Sequence, residues 1–208
     1  MGDRALKLSD ISDLREYERE REEFRRSVIA LKKRRRVGIG PFVTVLFENR
    51  TTVRFQVQEM ARAERMLSDE QIQAELDIYN PLIPRRGELS FTLFLELRTD
   101  AELREWLPRL VGIERAVELR FGSPPGDTRE APETVSGRVE AGHESQLTRD
   151  EVTASVHYVN FELSKSQQAR FSDVSLKGPV TIAVAHENYR YEAELSPDIR
   201  RSLAEDWE

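Results

Sequence analysis

A chain of 208 residues with 38% apolar content is long enough to bury a core of its own, and its lack of cysteine excludes disulfides, thiolate-held zinc, iron–sulfur ligation and a cysteine nucleophile. With 32 Lys and Arg against 38 Asp and Glu, the formal charge of −6 repels nucleic acid and anionic lipid except where a local basic patch intervenes. No segment approaches the roughly 18 to 20 consecutive apolar residues of a membrane helix, and Met1 to Lys7 has no hydrophobic signal core, so a cytoplasmic protein is expected.

In chain order, Leu14, Tyr17, Phe24, Val28 and Leu31 recur at helical steps and predict a long N-terminal helix over 12–37, with Arg21 and Arg35 on the same stripe. Acidic residues fill its first half and Lys32 to Arg36 its end, as the helix dipole favours. Gly38 and Gly40-Pro41 are expected to stop it. The alternation in 42–48 and 51–58 then predicts a hairpin turning at Asn49-Arg50, with Val53, Phe55 and Val57 facing in and Arg54, Gln56 and Gln58 facing out. Glu59 to Glu64 reads as a short helix, and Ser68 with Gln71 opens another that runs to Asn80-Pro81.

Leu89, Phe91, Leu93, Leu95 and Leu97 alternate as a strand, and Thr99 with Glu102 caps a helix that contains Pro108. A strand over 116–121 precedes a polar, proline-bearing stretch, 122–150, read as a mobile excursion with one short strand near Val135 to Val139. A strand over 153–163, a helix capped by Ser164 with Gln167, a hairpin of 180–185 with 190–195 and a helix begun by Ser196-Pro197 complete the chain. The expected fold class is α+β: one domain over 1–208, with a mostly antiparallel sheet packed by helices on one side.

The three histidines give metal chemistry little support. His186-Glu187 has no second histidine at helical spacing, and Glu140 with His143 is a single Glu-x-x-His where a di-iron site needs two on regular helices. His157 alternates with Val159, Phe161 and Leu163, which predicts a buried, hydrogen-bonded imidazole. No Gly-x-Ser-x-Gly elbow offers a serine triad. The run Lys32 to Arg36 sits where a helix C-terminus disfavours anions, so nucleic-acid binding is not the expected role. The preferred surface is a polar row, Arg54, Gln56, Gln58, Glu59 and Arg62, set beside Tyr79, Asn80 and the proline-braced loop to Pro84.

Several segments carry a resemblance: Glu16-Tyr17, Arg21 with Phe24-Arg25, Lys32 with Arg35-Arg36-Val37, Gly40-Pro41, Gln56-Val57-Gln58-Glu59-Met60, Tyr79-Asn80-Pro81-Leu82-Ile83-Pro84, His157 with Phe161-Glu162-Leu163, and His186 with Tyr189. Together they resemble the bacterial domain-of-unknown-function family 3501 over nearly the whole chain. The resemblance implies no catalytic residue, cofactor or metal. It implies an iron–sulfur or peroxide-stress context, since genes of that family neighbour rubrerythrin-like and heterodisulfide-reductase-like proteins. Members carry His-Pro where this chain has His186-Glu187.

Three readings of function follow, of which the third, nucleic-acid binding through Lys32 to Arg36, requires that run to lie on one exposed face. The first is a non-catalytic accessory protein that binds a protein partner, an iron–sulfur or rubrerythrin-like redox protein. The second is a small enzyme or ligand-binding domain built around Arg54, Gln56, Gln58, Glu59 and Tyr79, which needs those groups to converge on a concave site. Homo-oligomer formation is left open by all three.

Overall fold

The structure is a computed structural model and describes residues 4–123, 133–139, 151–175 and 178–207. The helices among them are α1 (Leu14–Lys33), α2 (Arg50–Ala63), α3 (Asp69–Tyr79), α4 (Asp100–Arg109), α5 (Lys165–Ser172) and α6 (Pro197–Ala204). The strands are β1 (Arg36–Ile39), β2 (Val43–Phe47), β3 (Glu88–Leu95), β4 (Val117–Phe121), β5 (Glu133–Ser136), β6 (Arg138–Val139), β7 (Val156–Glu162), β8 (Val180–His186) and β9 (Tyr189–Glu194). The fold is α+β with antiparallel sheets and a long N-terminal helix, as the sequence predicts. Among the described residues no helix is long and apolar enough to cross a membrane.

The strands form two sheets where the sequence suggested one: a five-stranded sheet ordered β1-β2-β3-β7-β6 and a four-stranded sheet ordered β5-β4-β8-β9. One core lies between them. Val45, Phe47, Phe91, Leu93, Val159 and Phe161 of the larger sheet meet Val117, Leu119, Phe121, Ile182 and Val184 of the smaller. Tyr189 pins the open edge, its hydroxyl donating to Ile39 O at 2.6 Å and accepting from Val43 N at 3.2 Å.

At the other edge β5 passes into β6 and changes sheet at Gly137. A Cβ there would stand 2.8 Å from Val159 Cγ1 and 3.1 Å from Val117 O, so only glycine fits the crossing. The short strand expected near 135–139 is therefore two strands, one in each sheet. The rest of the expected 122–150 excursion falls largely outside the described residues, His143 and Glu140 included.

Two expectations are corrected. α1 ends at Lys33 because Arg36 to Ile39, with Val37 and Ile39 alternating inward, pair with β2 as a hairpin turned at Gly40, where φ is +76°. Thr51 to Gln58 is helix, not the second arm of a hairpin. Asn49 is an N-cap: its side chain accepts from Thr52 N at 3.0 Å, and Thr52 Oγ1 accepts from Asn49 N at 2.9 Å. Val53 and Val57 fit a period of two as well as a helical step of four, but Ala61, also buried, fits the longer helical stripe.

α2 and α3 lie over the outer face of the larger sheet, holding an apolar cluster of Leu6, Val53, Val57, Leu76, Leu82 and Ile83. α1 packs outside α2, with Tyr17 and Val28 its buried residues. At the far end α5 and α6 pack together. There the Arg200 guanidinium donates to the Arg170, Phe171 and Asp173 carbonyls at the end of α5, satisfying acceptors the helix leaves open.

Candidate functional site

Residues of alternate position on a strand share a face, so Thr44, Leu46 and Glu48 of the β2 run point away from the inter-sheet core, as do Ser90, Thr92 and Phe94 of β3 and Val156 and Tyr158 of β7. The pairing Leu46↔Thr92, Thr92↔Tyr158 and Phe94↔Val156 sets them side by side. α2 and α3 roof this face but do not fill it. Between roof and sheet lies a cavity of about 230 Å³. Leu46, Glu48, Thr52, Val53, Leu82 and Thr92 make its buried floor and walls, and Lys32, Gln56, Tyr79, Phe94, Val156 and Tyr158 its half-buried rim.

The floor is chemically unusual for a covered sheet face. Glu48 is 9% exposed; its Oε1 accepts from Thr92 Oγ1 at 2.7 Å, and its backbone N donates to Ser90 O at 2.8 Å. Among the described residues no cation pairs with this carboxylate. Burial, reinforced by Tyr79 and Glu48, pushes the Tyr158 phenol up to about 12. Burial likewise raises Tyr79, against a hydrogen bond from Gln56 that favours the phenolate. Both rings therefore offer an O–H donor at neutral pH. Lys32 stands with Nζ 5.5 Å from the Phe55 ring centroid.

Of the residues singled out by sequence, Gln56 and Tyr79 reach this cavity. The others tie the N-terminal segment to the helical layer. The Gln58 side chain, 0% exposed, donates to Ser12 O at 2.9 Å and accepts from Ser12 N at 3.1 Å. Asn80 does the same for Leu6, at 3.0 and 2.7 Å. Arg54 Nε donates to Asp10 O at 2.7 Å, Arg62 pairs with Glu18, and Glu59 accepts from the Tyr17 hydroxyl and from Nε and Nη2 of Arg21. The Arg21 guanidinium holds the Glu59 carboxyl below its ordinary value. The outward row predicted from a strand is thus broken by the helix, and Gln58 is buried where an exposed amide was expected.

The sequence profile of one family, described as Protein of unknown function (DUF3501), matches residues 5–207. The chain belongs to that family. A protein of unknown function from Burkholderia pseudomallei, known from a crystal structure, is 36% identical, covers 98% of this chain and 100% of its own, and superposes with a TM-score of 0.84. No curated protein matches the sequence. The DUF3501 segments that carry the resemblance fall on both working parts of the fold: Gln56 and Tyr79 on the cavity rim, Gln58, Glu59 and Asn80 on the N-terminal tether.

The basic run disperses. Lys32 and Lys33 end α1, Arg34 caps it, Arg35 turns inward at 1% exposed, and Arg36 pairs with Glu96 at 2.9 Å over the Phe94 ring. Arg35 makes a two-pronged ion pair with Asp206, at 2.6 and 2.9 Å, and also reaches Ser202 O.

His157 is 2% exposed, with Nε2 2.9 Å from both Thr153 Oγ1 and Ala154 O, as its strand pattern predicts. His186 accepts at Nδ1 from Asn188 N, which leaves Nε2–H to donate to Val111 O at 3.1 Å. Among the described residues no three of His, Asp and Glu converge as a metal site.

Sequence reasoning missed Glu48, Thr92 and Tyr158. One signal was present: small hydroxyls at Ser90 and Thr92 on alternate positions of a strand whose other face is wholly apolar.

Proposed function

We propose that the protein binds a small organic molecule in the cavity between the α2–α3 roof and the five-stranded sheet. The observation that carries this reading is the floor itself: a covered sheet face normally closes with apolar side chains, yet here a buried carboxylate, a threonine hydroxyl and two tyrosines surround open volume. The volume of about 230 Å³ is below the range of drug-sized pockets, so the ligand is small. The enclosing groups hydrogen-bond and orient, which suits a binding role and also positioning for a reaction. We prefer this to the redox-accessory role because convergent side chains support it, whereas the partnership with an iron–sulfur or rubrerythrin-like protein has only the family resemblance behind it.

Fragment binding followed by NMR of the tyrosine rings tests the proposal. Ligands of the cavity are expected to shift the Tyr79 and Tyr158 signals together and to lose that effect in Val156→Trp, which puts bulk at the rim. Small polar fragments of every charge class leaving both rings unmoved would show that the volume is only a packing gap.

A further inference from the structure

Resting on that reading, we infer that the ligand is a small zwitterion of amino-acid type, its protonated amine anchored by Glu48 and its anionic end turned toward Lys32. A carboxylate taken out of water needs a counter-charge or several strong donors. Glu48 has neither in full: Thr92 supplies one hydrogen bond, and no side chain among the described residues brings a positive charge to it. The cavity is the side from which a further group can reach it, and an ammonium supplies both the charge and further N–H donors.

The walls agree with this. Tyr79 and Tyr158 line the same cavity as the carboxylate, and aromatic rings favour a cation over an anion. Glu48 and Tyr158 both line the open volume, on neighbouring parts of the same sheet face. An anionic group at the floor would add like charge beside Glu48. A bare metal ion would find one carboxylate among neutral oxygens, short of a coordination set.

The rim sets the other end. Lys32 is half-exposed and lines the cavity, and among the described residues no carboxylate forms an ion pair with it. A diamine would place its second charge against this lysine, whereas a carboxylate there is attracted. Floor and rim thus carry opposite signs, and a molecule with the complementary dipole satisfies both.

Calorimetric titration of the whole chain with matched four-carbon probes tests the assignment: 4-aminobutyrate, butylamine, butyrate, butanol and putrescine. The expected order places 4-aminobutyrate first, butylamine next and butyrate, butanol and putrescine below. Glu48→Gln is expected to weaken 4-aminobutyrate by about tenfold or more, the scale of one charged hydrogen bond. Because a floor substitution can disturb folding, Lys32→Glu at the rim gives an independent reading and should place putrescine above 4-aminobutyrate. Butyrate or butanol binding as tightly as the amines, or Lys32→Glu leaving the order intact, overturns the charge assignment. If those neutral or anionic probes still shift the Tyr79 and Tyr158 rings, the cavity reading stands without it. If no probe of any charge shifts either ring, both readings fall.

Discussion

The two faces of the five-stranded sheet are made from the same three strands and come out opposite in character. The inner face presents Val45, Phe47, Phe91, Leu93, Val159 and Phe161 to the second sheet, with Phe91 packed edge-on against Phe47 at 5.5 Å and tilted against Phe161 at 5.2 Å between ring centroids. The outer face mixes Thr44, Glu48, Ser90, Thr92 and Tyr158 with Leu46, Phe94 and Val156 beneath the helices, and space remains between them. Both faces are covered, so exposure does not explain the difference. Packing holds the inner face; the outer face keeps polar groups that packing alone would have replaced.

The sharpest way to break that contrast is on the inner side. Phe91→Ala removes a ring that is 0% exposed and should cost about 3 to 5 kcal/mol in denaturant unfolding. A loss under about 1 kcal/mol would mean the inner face collapses easily and is not the rigid member of the pair.

Next comes the roof. Gln58→Ala leaves the Ser12 backbone amide and carbonyl without their buried partner and should cost about 1 to 3 kcal/mol. Hydrogen exchange at Ser12 should quicken in the same variant. Unchanged stability and unchanged exchange would place the tether elsewhere.

A smaller effect depends on pH. Burial pushes the His157 imidazole below its ordinary 6.5, outweighing the upward pull of the Glu114 carboxylate and the Ala154 carbonyl. The unfolded chain therefore takes up the proton first. Stability from this group is complete above about pH 6.5 and declines as pH falls toward the folded value. His157→Gln should flatten the slope of urea midpoints between about pH 7 and pH 5. An identical slope in the variant assigns the titration to other groups.

The least change is expected at the floor. Glu48→Met relieves the burial of a charge that no cation offsets but leaves the Thr92 hydroxyl without its acceptor, so the two effects oppose and the net shift in stability should stay within about 1 kcal/mol. A large loss would make Glu48 a structural link like Gln58 and erase the difference between the faces.

Most of the fold could be read from the sequence because its signals are local. Ser68 with Gln71, Thr99 with Glu102 and Ser164 with Gln167 are capping boxes in the structure, and the burial of His157 follows from its neighbours two and four residues on. α2 was misread because Val53, Phe55 and Val57 satisfy strand alternation over the very residues where a helix also repeats. The cavity was illegible for another reason. Glu48, Thr92 and Tyr158 are far apart in sequence, and each is unremarkable alone; only the β2–β3–β7 register makes them neighbours. Gln56 and Tyr79 were found by chemistry, before their shared destination could be.

The Arg35–Asp206 pair bears on how the molecule is made. Its partners are separated by 171 positions, which at ordinary elongation rates is roughly 10 to 30 s of synthesis. Until then the guanidinium lacks the Asp206 carboxylate, and for the later part of the interval β1, β2 and β3 have already been made. Burial of Arg35 is thereby deferred until the closing turn of chain has emerged. A chain without that carboxylate, as in Asp206→Ala, keeps a cation that it cannot bury unpaired, and the segment around β1 should open to proteases more readily.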